Sequence, residues 1–298
     1  MSSSRIGGDD LETLLDDGIR YDRSGVSARA RACFVEITER ARERPGIAAE
    51  AWWRLANVQR LQSQWDDAIA SARAGADLAR AHGLRDTEAD ALNIEAVVWA
   101  MRGDARRAWT LFERMLELST RPLTRAKALQ NLGGLAAEER RFEEAERLFD
   151  ASREAYREAD DLRGEANTLL NIGRLQAERG DPALAKETLE AAVHQSRTSG
   201  DMEMHAAALL NLGIALGTLG EHGKAEERIT TAYGQFTIAD NAVQRVRCLL
   251  QLAELASGRS EPDAARVCLA HAREIAAETE LPRELRLIDE HLARLGGA

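Results

Sequence analysis

Apolar residues return along this chain in a regular rhythm. LLNLG at 209 to 213 reappears as LLNIG at 169 to 173, LQNLG at 129 to 133 and LLQLA at 249 to 253, an interval of 40 residues each time. Around these strings apolar residues fall three and four apart, the spacing of one helix face. Short polar breaks interrupt the periodic stretches: RGD at 102 to 104 and 179 to 181, and LGE at 219 to 221. The pattern predicts an all-α chain built of helix pairs, each pair joined by a tight turn.

Seven units align without gaps on three positions. The first is small: Gly18, Ala56, Ala96, Gly133, Gly173, Gly213 and Ala253. Twelve residues on stands an alanine, at 30, 68, 108, 145, 185, 225 and 265, and four further on comes Phe34, Ala72, Phe112, Phe149, Leu189, Ile229 or Leu269. Small residues at the first two positions let the paired helices approach closely, and the large one fills the groove between them. Pro182 and Pro262 suit the first turn of a second helix, where a missing amide proton costs nothing. One pair alone cannot bury its apolar face, so the units must stack.

These three positions resemble the tetratricopeptide repeat, whose motif sets a small residue at position 8, Ala at 20 and a large apolar residue at 24. The resemblance runs over residues 13 to 281. It implies a right-handed TPR superhelical solenoid of about seven helix-turn-helix repeats, with 1 to 12 as an N-terminal tail and 282 to 298 as a C-terminal helix capping the stack. The period is longer than the usual one of about 34 residues. It is 40 for most units and 37 from Ala96 to Gly133, which predicts helices about one turn longer than usual. Long units of this kind are similar to those of kinesin light chains and of bacterial Rap-type peptide receptors, which bind protein segments or signalling peptides. Rap-type receptors act on partner proteins through a separate N-terminal helical bundle, and here the repeats begin almost at once, so that activity is not carried over.

In the family the first helix of each unit lines the concave surface, and this assigns the candidate site. Position 6 gives Asn131, Asn171, Asn211 and Gln251; position 5 gives Trp53, Asn93, Gln130, Leu170, Leu210 and Leu250. Small residues at position 12 (Ala100, Ala137, Ala177, Gly217, Ser257) leave room. An amide offers a donor and an acceptor, so the ladder could hold the backbone of a ligand, with the leucines supplying an apolar strip. Equally, a periodic amide could tie one helix to its neighbour. Trp53 is expected to face the groove as an anchor; Trp52, Trp65 and Trp99 are expected in the core. Trp109 is open between local packing and a second contact surface. Lys127, Arg174 and Arg247 are the inward cations, interleaved with Glu138, Glu178 and Glu254. Mixed signs argue against a cationic clamp on acidic tails and for solvated pairs four residues apart.

Charge and composition narrow the alternatives. A net charge of −10, with arginines dispersed among acids, opposes direct nucleic-acid binding. MSSSRIGGDD lacks the apolar core of a signal peptide, and no run of 18 apolar residues occurs, so a cytoplasmic protein without membrane contact is expected. Only three of the 40 basic residues are Lys, a bias read as bacterial. Cys33, Cys248 and Cys268 lack metal or disulfide spacing and are expected to be small buried residues. The six histidines form no metal-binding pattern, and no phosphate-binding or nucleophile motif occurs, so no cofactor, metal or catalytic residue is assigned. The expectation is an interaction scaffold or adaptor that binds a peptide or protein segment. Its rivals are a homo-oligomerising module, and a small-molecule or peptide sensor acting on an effector.

Overall fold

The computed structural model describes residues 8–296, so the first seven residues of the expected tail and the last two of the expected capping helix lie outside the described residues. Two compact units divide at Ala159 and Asp160. The first holds α1 (Gly8–Arg23), α2 (Ser27–Arg40), α3 (Pro45–Leu61), α4 (Trp65–Ala81), α5 (Arg85–Met101), α6 (Ala105–Leu118), α7 (Pro122–Glu138) and α8 (Phe142–Glu158). In the second are α9 (Leu162–Glu178), α10 (Pro182–Ser199), α11 (Met202–Thr218), α12 (His222–Ile238), α13 (Ala242–Gly258), α14 (Pro262–Glu278) and α15 (Pro282–Gly296). No strand occurs among the described residues, and no described helix is long and apolar enough to cross a membrane. The helix α1 begins inside the stretch read as tail.

The long sequence period resolves into two equal halves, one per helix. Most helices have 17 residues, about 25 Å of rise, and the later ones each end in one residue with left-handed backbone: Arg140, Asp160, Gly180, Gly200, Gly220, Asp240, Ser260 and Glu280. At Gly180, with φ 91°, the turn closes by two bonds, Gly180 N–H to Ala177 O at 3.1 Å and Asp181 N–H to Gln176 O at 2.9 Å. This is the Schellman arrangement. Asp181 then caps the next helix, its Oδ1 accepting from Leu184 N–H at 3.0 Å. Two adjacent residues thus close one helix and open another. All five prolines sit at helix starts: Pro45, Pro122, Pro182, Pro262 and Pro282. The shorter interval between Ala96 and Gly133 has a local cause, since α6 has 14 residues and runs into α7 through Ser119 and Arg121 in extended conformation.

Within a pair, the aligned positions meet as their sizes require. All seven alanines at the second position are fully buried, and Phe34, Phe112, Phe149, Leu189, Ile229 and Leu269 are at most 2 % exposed. A Cβ on Gly133 would lie 2.7 Å from the Phe149 ring, one on Gly173 2.5 Å from Leu189 Cγ, and one on Gly213 2.5 Å from Ile229 Cγ1. Inside each unit first helices touch first helices: α1, α3, α5 and α7 in turn, and α9, α11, α13 and α15 in turn. No second helix touches another second helix within either unit among the described residues. Each stack therefore curves with its first helices on the inner side. At its end α15 sets Leu285, Ile288, Leu292 and Leu295, three and four residues apart, against the core of α13 and α14.

These contacts decide what an added methyl group does. Gly213→Ala should lower the urea midpoint, because overpacking costs about 1–3 kcal/mol against a helix-propensity gain of about 1 kcal/mol. Gly134→Ala, in the same kind of helix but with nothing within 4 Å of the added Cβ, should raise it. Glu280 occupies a left-handed turn, with φ 54°. There Glu280→Gly should stabilise by somewhat under about 1 kcal/mol in the same urea titration, the relief of left-handed strain exceeding the entropy lost by a glycine.

Candidate functional site

The inner faces of the two units carry the residues that the repeat positions single out. In the first unit, α5 and α7 present Asn93 and Asn131, both half-buried, with Asn131 Nδ2 donating to Asn93 Oδ1 at a long 3.5 Å. Gln130 beside it accepts from the Tyr156 hydroxyl at 2.8 Å. Trp53 on α3 is half-buried against Ala56, Ala72 and Ile94, and the Arg54 guanidinium lies 4.4 Å from its ring centre. Trp52, Trp65, Trp99 and Trp109 are also half-buried, so the three expected in the core are only partly covered. Lys127 is exposed and acts on Asp90, where burial pushes the carboxyl pKa up while Arg121 and Lys127 pull it down.

On the second unit the position-6 residues divide. Asn211 is buried and engaged: its Nδ2 donates to Ala207 O, one turn back, at 2.7 Å, and its Oδ1 accepts from the Arg247 guanidinium at 3.4 Å. It thereby links α11 to itself and to α13. Asn171 and Gln251 are half-buried, and neither amide has a hydrogen-bond partner among the described residues. The apolar strip is corrected by the structure. Leu210 is fully buried among Leu209, Ile229, Phe236 and Cys248, while Leu170 and Leu250 are each 8 % exposed. These position-5 leucines fill the space where a helix pair meets the next first helix, Leu210 between α12 and Cys248 of α13 and Leu170 between Ala192 of α10 and Ala208 of α11, and do not form an open strip.

The cations of this face differ in how they are paired. Arg174 is exposed and lies 3.8 Å from Glu178, a loose pair one turn along α9. Arg247 is half-buried, and no carboxylate reaches within 4.0 Å of it among the described residues. Burial, and then the charge of Arg174, depress its pKa below the ordinary arginine value, which still leaves it a cation at neutral pH. Glu254, expected among the neutralising acids, instead faces His291 at 3.8 Å.

Two cavities flank Arg247 and Asn211. One, of about 250 Å³, lies where the first turns of α9, α11 and α13 converge; Leu170, Met204, Ala207 and Phe236 form its apolar side, and Arg163, Asp201, Glu203 and Gln244 are among the polar residues of its rim. The other, of about 270 Å³, opens between α11 and α13 around Ile214, Gly217, Gln251 and Leu255. Gly217 is needed there, since a Cβ would lie 2.8 Å from Leu255 Cδ2.

A third cavity, on the first unit, has about 550 Å³ and is bordered by Arg73, Glu95, Trp99, Arg106 and Arg107. Glu95, buried, is held by Arg73 at 2.7 Å and by the Trp99 indole at 3.1 Å. Its signal was present in the sequence: a Glu stands where five other repeats hold Leu55, Leu132, Ile172, Leu212 and Leu252, the first repeat having Asp17 there. Of the cysteines only Cys248 is buried, its thiol pushed up to about 12 by that burial, whereas Cys33 and Cys268 are half-buried. No group of three or more potential ligand residues among the described residues could hold a metal ion.

Comparison with known proteins agrees with this architecture. A tetratricopeptide-repeat family model matches residues 124–195. No curated protein matches the sequence. Among solved structures, a Rap protein complexed with competence and sporulation factor superposes with a TM-score of 0.68 at 15 % identity, over 94 % of this chain and 80 % of that one. The apo quorum sensor NprR of B. thuringiensis gives 0.75 at 13 % identity, over 89 % and 76 %. Aspartyl phosphate phosphatase F of Bacillus subtilis gives 0.66 at 14 %, over 89 % and 70 %. At such identities the likeness is one of fold. With the helix pairs, the aligned small and large positions and the match over residues 124–195, the chain has a tetratricopeptide-repeat-like solenoid fold, similar to that of the Rap and NprR proteins.

Proposed function

We propose that this protein is an adaptor or regulator that binds a segment of another protein, or a peptide, along the inner face of its first helices. The observation that carries the reading is the pair of unengaged amides on the second unit, Asn171 and Gln251, half-buried on the face that holds two cavities. A half-buried amide without a partner is a donor and acceptor held ready for the backbone of an extended chain. The Rap neighbour, solved with competence and sporulation factor, supports the same reading by likeness of fold. In this reading Asn131 and Asn211 act mainly as ties between first helices, and Trp53, Asn93 and Lys127 border the corresponding face of the first unit.

The test is a terminally blocked random nonapeptide library, with binding to the full chain followed by fluorescence polarisation. Two lost hydrogen bonds at about 1 kcal/mol each should make Asn171→Ala/Gln251→Ala bind at least about tenfold more weakly, with helical content unchanged by circular dichroism. Equal binding by the double variant would overturn the assignment.

A further inference from the structure

The inner face of the second unit holds an electrostatic imbalance. Arg247 is half-buried with no carboxylate partner among the described residues, and what meets it is a neutral amide, Asn211. Arg174, exposed on α9, adds a second positive charge to the same neighbourhood. A half-buried guanidinium without a counter-charge is uncommon, because the cost of desolvating it is normally offset by pairing. The chain as a whole is acidic, with 50 Asp and Glu against 40 Lys and Arg, so the scarcity here is one of placement and not of supply.

The position of Arg247 is as informative as its charge. On α13 it stands between Gln244, which lines the smaller cavity, and Gln251, which lines the other. On α11 its partner Asn211 stands between Ala207 and Ile214, again one from each cavity. Four helical residues advance about 6 Å, close to the advance of two residues in an extended chain, about 6.6 Å. In an extended chain every second side chain points the same way. A segment laid along α11 would therefore put one side chain in each cavity and the one between them at Arg247. Leu170, Met204 and Phe236 give the first cavity one apolar wall, opposite a polar rim in which Asp201 is paired with Arg163 and Glu203 with Asn241; Ile214, Ile229 and Leu255 line the second beside Glu254 and His222.

We infer that the segment bound by the second unit is extended and carries an acidic side chain, Asp or Glu, paired with Arg247 and flanked two residues away on each side by an apolar residue. The inference rests on the peptide-binding reading above. An acidic side chain suits the site better than a chain terminus, because a cavity lies on each side of Arg247 and the ligand must continue in both directions. The guanidinium offers a carboxylate a two-bond contact, and Asn171 and Gln251 remain for the backbone. Arg174 is exposed and loosely paired, so it adds attraction but less selectivity.

Two terminally blocked nonapeptide libraries test this, one with Leu-x-Glu-x-Leu at its centre and one with Leu-x-Gln-x-Leu. The full chain should bind the Glu library at least tenfold more tightly. Arg247→Gln should abolish that preference with helical content by circular dichroism unchanged; Arg174→Gln should reduce it only several-fold. Equal affinity of the two libraries for the native chain, or a preference that survives Arg247→Gln, would overturn the acidic motif while leaving segment binding intact. Failure of both libraries to bind would overturn the peptide-binding reading, and this inference with it.

Discussion

Close approach of two helices within each repeat is the contact on which the remaining architecture depends. A helix pair can bring its backbones together only where one side chain is absent or minimal, and Gly133, Gly173 and Gly213 supply that absence opposite Phe149, Leu189 and Ile229. The large residue occupies the space in which a Cβ would have stood, so each pair interlocks at one point. With the pairs closed in this way, each second helix packs on the next first helix and first helices also touch one another, whereas second helices do not within either unit among the described residues. The curvature of each unit, and so the existence of an inner face, comes from that asymmetry.

The repeat positions and the helix-pair architecture could be read from the sequence because they recur. Seven aligned units make a size rule at one position visible without any knowledge of the neighbours it packs against. The position-5 leucines were harder. Leu170, Leu210 and Leu250 looked like an open strip when placed by the motif of a shorter repeat, yet they pack into the core where a second helix meets the next first helix. Periodicity shows that a residue has a repeated role; it does not distinguish an inter-helix seam from a surface, since both repeat with the same period.

The candidate site was legible only in outline. Asn171, Asn211 and Gln251 occupy one register position and look alike in sequence, but Asn211 is engaged because Arg247 stands opposite it, and the other two lack such a neighbour. Arg247 itself was one of several cations interleaved with acids, which suggested mutual neutralisation. Its isolation depends on where Glu178 and Glu254 point: one lies along α9 and the other faces His291. The pairing of Arg174 with Glu178 four residues on was legible in the spacing; the contacts of Arg247 with Asn211 and of Glu254 with His291 join side chains on separate helices nearly a full repeat apart, and no local pattern carries them.

The turns have a consequence for how such a chain can change length. Because the same left-handed turn recurs at the end of helix after helix, within repeats and between them, the backbone makes no distinction between a first helix and a second. Only the side chains do, through their small, alanine and large positions. Loss or gain of a single helix with its turn would keep every remaining cap intact, yet it would exchange inner for outer helices in everything downstream within that unit, turning buried faces toward solvent. Loss or gain of a helix pair would exchange nothing. The arithmetic of insertion and deletion in this architecture is therefore one of even numbers of helices, imposed by packing on a backbone that would accept either parity.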